Sequence, residues 1–399
     1  MKDTRVITQK LLDYCHRNDW SGYDPYDALN SRIFKFLPFL NFRIPRLVLT
    51  QVLKRSPVNV RPLLMIPKTH NPKAIALFLM ALVRLSRLGF LNTEILPAKM
   101  VDKLAELRSP GLSYWCWGYS FPWQTRTLLV ARGTPNLVCT VFVANALLDV
   151  YESNGERRCL DMAVSSAEYI LNELFWSEDE GATAGFSYPL PSLNMPVHNA
   201  NFLGAALLCR VYQHVGDRKF LDAAMKVARY SAAKQHDDGS WDYGESSMQH
   251  WVDNFHTGYN LCALRAIEKY ADNTEFDCHI SKGFAFYRNH FFEGDGAPKY
   301  FHNRTYPIDI HSVAQSIITL LTFKDLDEQN VNLAFTIFRW ALTHMWDERG
   351  YFYYQVFPLG TNRIAYMRWA QAWMLVALAS LLGEPDQEQL AHIHISSDS

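Results

Sequence analysis

A chain of 399 residues, 49% hydrophobic and 20% charged, has the makeup of a folded globular protein with enough apolar sequence for one large core. A formal net charge of −1 gives no overall bias toward nucleic acid, and seven scattered cysteines without a C-x-x-C pair suit reduced thiols rather than a disulfide framework. The longest unbroken apolar run, Ala74–Val83, is too short to span a bilayer, and the N-terminus lacks the apolar segment of a signal peptide, so a cytoplasmic protein is expected.

The N-terminal part is unevenly charged. Between Asp27 and Glu94 there is no acidic residue but 11 Lys and Arg, which leaves 28 basic against 40 acidic residues elsewhere. Such a segment suits an anionic substrate, a membrane surface, or an acidic face of the same protein. The stretch "IFKFLPFLNFRIPRLVL" mixes apolar and basic residues in a way that fits peripheral membrane contact, although its prolines break up a single amphipathic helix. Nothing else in the chain points to a nucleic-acid partner. Neither a P-loop nor a strand-linked G-x-G-x-x-G is present, which argues against nucleotide-dependent chemistry.

From about residue 71 the chain repeats itself. "YESNGERRCLDMAVSSAEY" (151–169) and "YQHVGDRKFLDAAMKVARY" (212–230) align at a constant offset of 61, and a looser copy follows from Tyr270. Each unit opens with a nearly all-apolar helix, then a short polar turn, then a helix with one apolar stripe. Phe220, Ala224, Val227, Ala228 and Ser231 form such a stripe. A helix apolar all round is buried and one with a single stripe lies outside, so each unit is an inner–outer pair. Inner helices are expected near Asn71, Thr140, His198, His256, His311 and Met367, six in all. Gly-aromatic segments such as "GLSYWCWGYSFPW", "DGSWDYG" and "RGYFYYQ" connect the pairs.

Six pairs closing on themselves define an all-α fold, an (α/α)6 toroid. This layout, over residues 71–383, resembles that of six-hairpin glycosidases, polysaccharide lyases, sugar 2-epimerases, uronyl C5-epimerases and terpenoid cyclases. "QHDDGSW" (235–241) is similar to the Gln-to-Trp repeat motif of triterpene cyclases, and "FSYPLPSLNMPVHNANFLGAALL" resembles the Tyr-rich entry to an inner helix in glucuronyl C5-epimerases. No Asp-x-Asp-Asp acid of a cyclase is present. The expected division is a basic extension over 1–70 packed on the toroid, the toroid over 71–383, and a flexible tail over 384–399.

In a toroid the outer-to-inner connections ring one mouth of the central cavity. Three of them carry similar polar groups: "PVHNAN" (His198, Asn199, Asn201), "VDNFHTGY" (Asp253, Asn254, His256, Tyr259) and "PIDIHSVAQ" (Asp309, His311, Gln315). The histidines are spaced near the repeat length, so they are expected in equivalent places, while Asp253 and Asp309 are also suited to cap helices. A fourth connection supplies Arg363, Arg368, Trp369 and Gln371. Without a cysteine in a short ligand motif beside them, the histidines are not expected to hold a metal, and no cofactor is expected.

Aromatic faces suit pyranose rings, and Trp115, Trp117, Trp123, Trp241, Trp251, Tyr306 and Trp369 are the candidate platforms. Glu245, Asp253, His256, Tyr259, Asp309 and His311 are the candidate acid–base groups, with Asn254 and Arg363 neutralising a substrate carboxylate. The expected function is that of an enzyme on an intracellular, anionic glycan, acting by proton abstraction at a uronic acid or by hydrolysis between two carboxyls. A terpenoid-cyclase-like or polyprenyl-binding protein and a non-catalytic helical scaffold are the alternatives.

Overall fold

The computed structural model describes residues 3–37, 41–91, 94–125, 128–178 and 183–385. Helix α1 (Thr4–Arg17), the single turn α2 (Ile33–Phe36) and α3 (Arg43–Arg55) precede the repeats. The pairs then run α4 (Pro72–Arg87) with α5 (Ile95–Glu106), α6 (Leu137–Asn154) with α7 (Arg157–Tyr169), and α8 (His198–Val215) with α9 (Arg218–Ala232). They continue as α10 (Asn254–Ala271) with α11 (Asp277–His290) and α12 (Ile310–Thr322) with α13 (Gln329–His344). A π-helical turn, Met367–Ala372, leads into α14 (Trp373–Leu381). The even-numbered helices from α4 to α14 pack side by side, and α14 returns to α4, which closes the inner ring. The fold is an (α/α)6 toroid.

The outer partner of α14 comes from the other end of the chain. Helix α1 lies against α14, with Ile7, Leu11 and Cys15 fully buried in the main core. The boundary drawn at residue 70 therefore does not separate α1 from the ring. Ala28, Leu53 and Ile66 form a small apolar cluster of their own, apart from the main core. The tail expected from residue 384 lies outside the described residues beyond 385.

Local chemistry explains the regular helix starts and stops. Asn71, Asn136, Asp253 and Asp309 each accept a hydrogen bond from a backbone N–H of the first turn of their helix, satisfying donors that have no partner within the helix. Gly155 and Gly216, a matched pair in the repeat, end α6 and α8 with φ of 77° and 73°. Asp272 takes the same left-handed place in the third copy, a residue type that tolerates it less well than glycine, and this is where the repeat loosens. Between hairpins the chain forms short antiparallel ribbons, such as Phe175–Glu178 with Thr183–Phe186 and a three-stranded patch of 308–309, 355–357 and 360–362. Among the described residues no helix is long and apolar enough to cross a membrane.

Candidate active site

The inner helices all point their N-termini at one mouth, and a cavity of about 420 Å³ opens there. Its lining follows a register rule. The second residue of every inner helix faces it: Lys73, Val138, Asn199, Phe255, His311 and Arg368. One turn deeper, the sixth residues Leu77, Phe142, Leu203, Tyr259 and Gln315 border a second axial cavity of about 300 Å³. The last helix contributes its seventh residue, Trp373, because its π-helical turn adds one residue. Tyr259, Phe142 and Trp373 pack edge and face against one another and form the floor between the two spaces.

On α10, Asp253 does two things. One carboxylate oxygen caps the helix by accepting from the His256 N–H at 3.0 Å; the other lies 2.7 Å from His256 Nδ1 and also accepts from Trp251 Nε1 at 3.0 Å. The carboxylate only accepts, so Nδ1 carries the proton and Nε2 is the basic nitrogen. His256 is the third residue of its helix, held between Tyr243 and Phe255.

His311 is buried and sits between Phe255 and Trp373, stacked on both. Its Nε2 lies 2.6 Å from the Tyr259 hydroxyl, and its Nδ1 is buried without a partner. Burial, then the cations of Lys73 and Arg368, hold this imidazole neutral well below its usual range, and burial pushes the Tyr259 phenol well above its own. The close approach of α10 and α12 that makes the pair requires Gly258, where a Cβ would meet Thr319 and Gln315 at 2.6 and 2.8 Å.

Three basic residues stand among the aromatic side chains of the remaining wall. Arg368 is clamped by Asp24 through two hydrogen bonds of 2.6 and 2.9 Å, a buried pair that ties the N-terminal segment to the last inner helix. Lys54 reaches the Tyr26 hydroxyl at 2.8 Å. Lys73 is buried with its ammonium nitrogen 4.0 Å from the Phe142 ring centre and near the rings of Tyr259 and Trp373, and among the described residues nothing hydrogen-bonds or pairs with it. Burial and Arg368 push its pKa well below the usual lysine range. Among the described residues Asp253 is the one carboxylate in the lining.

Of the residues singled out from sequence, Trp123, Asn199, Trp251, Asp253, His256, Tyr259, His311, Arg368 and Trp369 meet at this cavity. Asp309 stands behind it, fully buried, receiving Trp369 Nε1, Gln355 Nε2 and the His311 N–H; burial raises its pKa to about 6. The others are elsewhere. His198 and Asn201 turn toward Ser231 on α9, and burial lowers the His198 pKa to about 4. Asn254 accepts from Tyr287 and Ser316, away from the axis. Glu245 accepts from the Tyr230 hydroxyl at 2.6 Å, on the outer-helix side. Trp117 and Trp241 donate to carbonyls of Leu104 and Ser231 and fill space within hairpins. Trp115 packs on Trp117 and Arg108. Tyr306 and Arg363 are exposed on the rim, Arg363 over Tyr353.

Lys73, Tyr26, Lys54, Tyr119, Tyr188 and Tyr300 were not singled out. Lys73 had a readable signal, since "HNPK" supplies an Asn cap, a first-position Pro and then Lys as the second helical residue. Tyr26 and Lys54 had none, because only the closed fold brings the N-terminal segment to the mouth. Among the described residues no group of three His, Cys, Asp or Glu is arranged to hold a metal ion.

No described protein family and no curated protein matches the sequence. Solved structures match the fold. A cellobiose 2-epimerase from Bacillus thermoamylovorans superposes with a TM-score of 0.60 at 12% identity, covering 80% of this chain and 90% of that one. An unsaturated glucuronyl hydrolase specific for heparin gives 0.56 at 13%, covering 78% and 86%. A GH76 alpha-mannanase from Bacteroides thetaiotaomicron gives 0.59 at 13%, covering 79% and 90%. These are three different reactions on one scaffold, so the reaction must be argued from the site.

Proposed function

We propose that the protein is a carbohydrate-active enzyme that abstracts a proton from an anionic sugar, with His256 as base. The observation that carries this reading is the Asp253–His256 pair, oriented by Trp251 and facing a cavity in which, among the described residues, Asp253 is the one lining carboxylate. Hydrolysis between two carboxyls needs a second such group, and among the described residues the lining holds one. Epimerisation or elimination needs one base, one acid and a cation against the charge that develops beside the abstracted proton.

The residues fill those roles. Asp253 keeps the His256 Nδ1 proton in place and favours the imidazolium once Nε2 has taken the substrate proton. The Tyr259 hydroxyl, bonded to neutral His311, is the proton donor on the floor, its ring centre 6.0 Å from that of His256. Trp251, Trp369, Tyr243 and Tyr300 supply flat faces for pyranose rings. Lys73, Lys54 and Arg368 stand, among the described residues, against a single lining carboxylate; burial favours a neutral Lys73 until an anion binds beside it, and a uronic acid is the substrate class we infer. The same cations and polar groups do not suit a polyprenyl chain. Supporting the carbohydrate reading, the similar folds include an epimerase, a glucuronyl hydrolase and a mannanase.

Proton NMR of uronic-acid oligosaccharides incubated with the protein in D2O tests this. Loss of the C5 proton signal is expected; a new unsaturated signal would mark elimination and its absence epimerisation. Uronates that keep their C5 proton and stay uncleaved would sink the proposal.

A further inference from the structure

The outer face of the N-terminal segment is apolar where a surface is normally polar. Helix α3 buries Thr50 and Leu53 and turns Lys54 toward the cavity wall, while Ile44, Val48 and Val52, at i, i+4 and i+8, face outward. Ile44 is 73% exposed, and Phe42 just before the helix is 63% exposed. Elsewhere in the N-terminal segment Phe36 and Leu63 are also exposed, at 69% and 81%. Scattered apolar residues need no explanation, but a concentration of this kind does.

Charge surrounds this face with one sign. Arg43 and Arg55 flank the exposed stripe at the two ends of α3. Beside it a surface groove of about 470 Å³ is lined by Arg32, Arg46 and Arg132 together with Phe34 and Leu129, and among the described residues no acidic side chain contributes to it. An apolar stripe with arginines at its edge is the chemistry of an interfacial helix, whose apolar side chains enter the acyl boundary while the cations meet lipid phosphates. A purely apolar protein partner would leave those arginines uncompensated.

The face is also next to the mouth. Helix α3 packs on the strand Trp123–Gln124, Arg46 donates to Gln124, and Lys54 and Trp123 both line the cavity. We propose that the α3 face rests on an anionic membrane and holds the cavity mouth at the bilayer, where a lipid carrier presents the glycan. The docking stands on the surface itself; the lipid-linked substrate rests on the functional reading given above.

Flotation with phosphatidylcholine vesicles, with and without phosphatidylglycerol, tests the docking. The anionic vesicles should bind on the order of ten-fold more protein or better, and high salt should release it. Phe42→Ser/Ile44→Ser/Val48→Ser should lose flotation while keeping its melting temperature and its activity on soluble uronides, because these side chains are exposed. Equal flotation of this variant, no preference for anionic vesicles, or a dimer that the variant dissolves would each overturn the docking. For presentation, C5 exchange of a glucuronyl diacylglycerol in anionic vesicles should exceed that by the triple variant about ten-fold, as expected for substrate and enzyme confined to one surface. Equal rates would overturn presentation alone. Exchange absent from both lipid-linked and soluble uronides, with flotation intact, would remove the functional reading and leave the docking.

Discussion

The openings of α8 and α10 look alike in sequence and differ in use. "PVHNAN" and "VDNFHTGY" both place His and Asn at an inner helix start, in the same layer of the same ring. In α8 the histidine is the first helical residue and faces Ser231 on the outer helix, and the cavity receives its neighbour Asn199. In α10 the histidine is third, after an Asp cap, and it lies in the cavity with that Asp bonded to its ring. A shift of two residues turns a helical side chain by roughly 200°, enough to move it from the axis to the hairpin interior. What decides which side chain reaches the cavity here is helical position and not residue type.

The contrast is most sharply tested by removing each histidine. His256→Ala should reduce C5 exchange about a hundred- to ten-thousand-fold with the fold retained, the usual reach of a lost general base. His198→Ala should leave exchange within about two-fold and lower stability by about 1–3 kcal/mol, since Ser231 loses a buried partner and the imidazole's volume is left empty. Rates by NMR and denaturant midpoints separate the two; a catalytic collapse in His198→Ala would remove the distinction.

Next in size is acid sensitivity. The folded His198 pKa of about 4 lies below its unfolded value, so the unfolded chain binds more protons between those values, and stability is present above about 6.5 and lost as pH falls toward 4. Asp309 acts the opposite way, because its pKa is raised to about 6 and its protonation in the folded state offsets part of that loss below about 6. His198→Asn should therefore flatten the fall in melting temperature between pH 6.5 and 4.5, and Asp309→Asn should steepen it. Identical pH profiles for wild type and His198→Asn would contradict the burial of a neutral imidazole.

The two asparagines of α8 sharpen the comparison within one helix. Asn199→Ala should raise KM for a uronate several-fold and leave stability nearly unchanged, whereas Asn201→Ala should cost about 1–3 kcal/mol with KM unaltered, as its amide bonds Phe186 and Ser231. The smallest effect is expected at Glu245→Gln, which removes the charged acceptor of one part-buried Tyr230 bond: about 1 kcal/mol or less, and unchanged exchange.

Hydrophobic period, capping residues and the repeat were enough to place six inner helices, because each rests on interactions within a few residues of chain: Asn71 and Asp253 announce their helices, and Gly155 and Gly216 end theirs. The same signals put Asp253 and His256, three residues apart, among the candidates; the hydrogen bond between them came from the structure. Lys73 was within reach of the register rule; His198 was misplaced for want of it.

Other features depended on closure of the ring. That α1 completes the circle beside α14, that Asp24 clamps Arg368 across 344 residues, that Lys54 enters the cavity wall and that His311 meets Tyr259 between two helices are contacts between segments far apart in the chain. Local sequence pattern carries no information on which distant partners meet, since any apolar stripe can bury against any other. Sequence alone thus determined the helices, their inner or outer character and the aromatic mouth. The tertiary structure decided which side chains share the cavity, because only packing around a closed ring sets the rotation of each helix about its own axis.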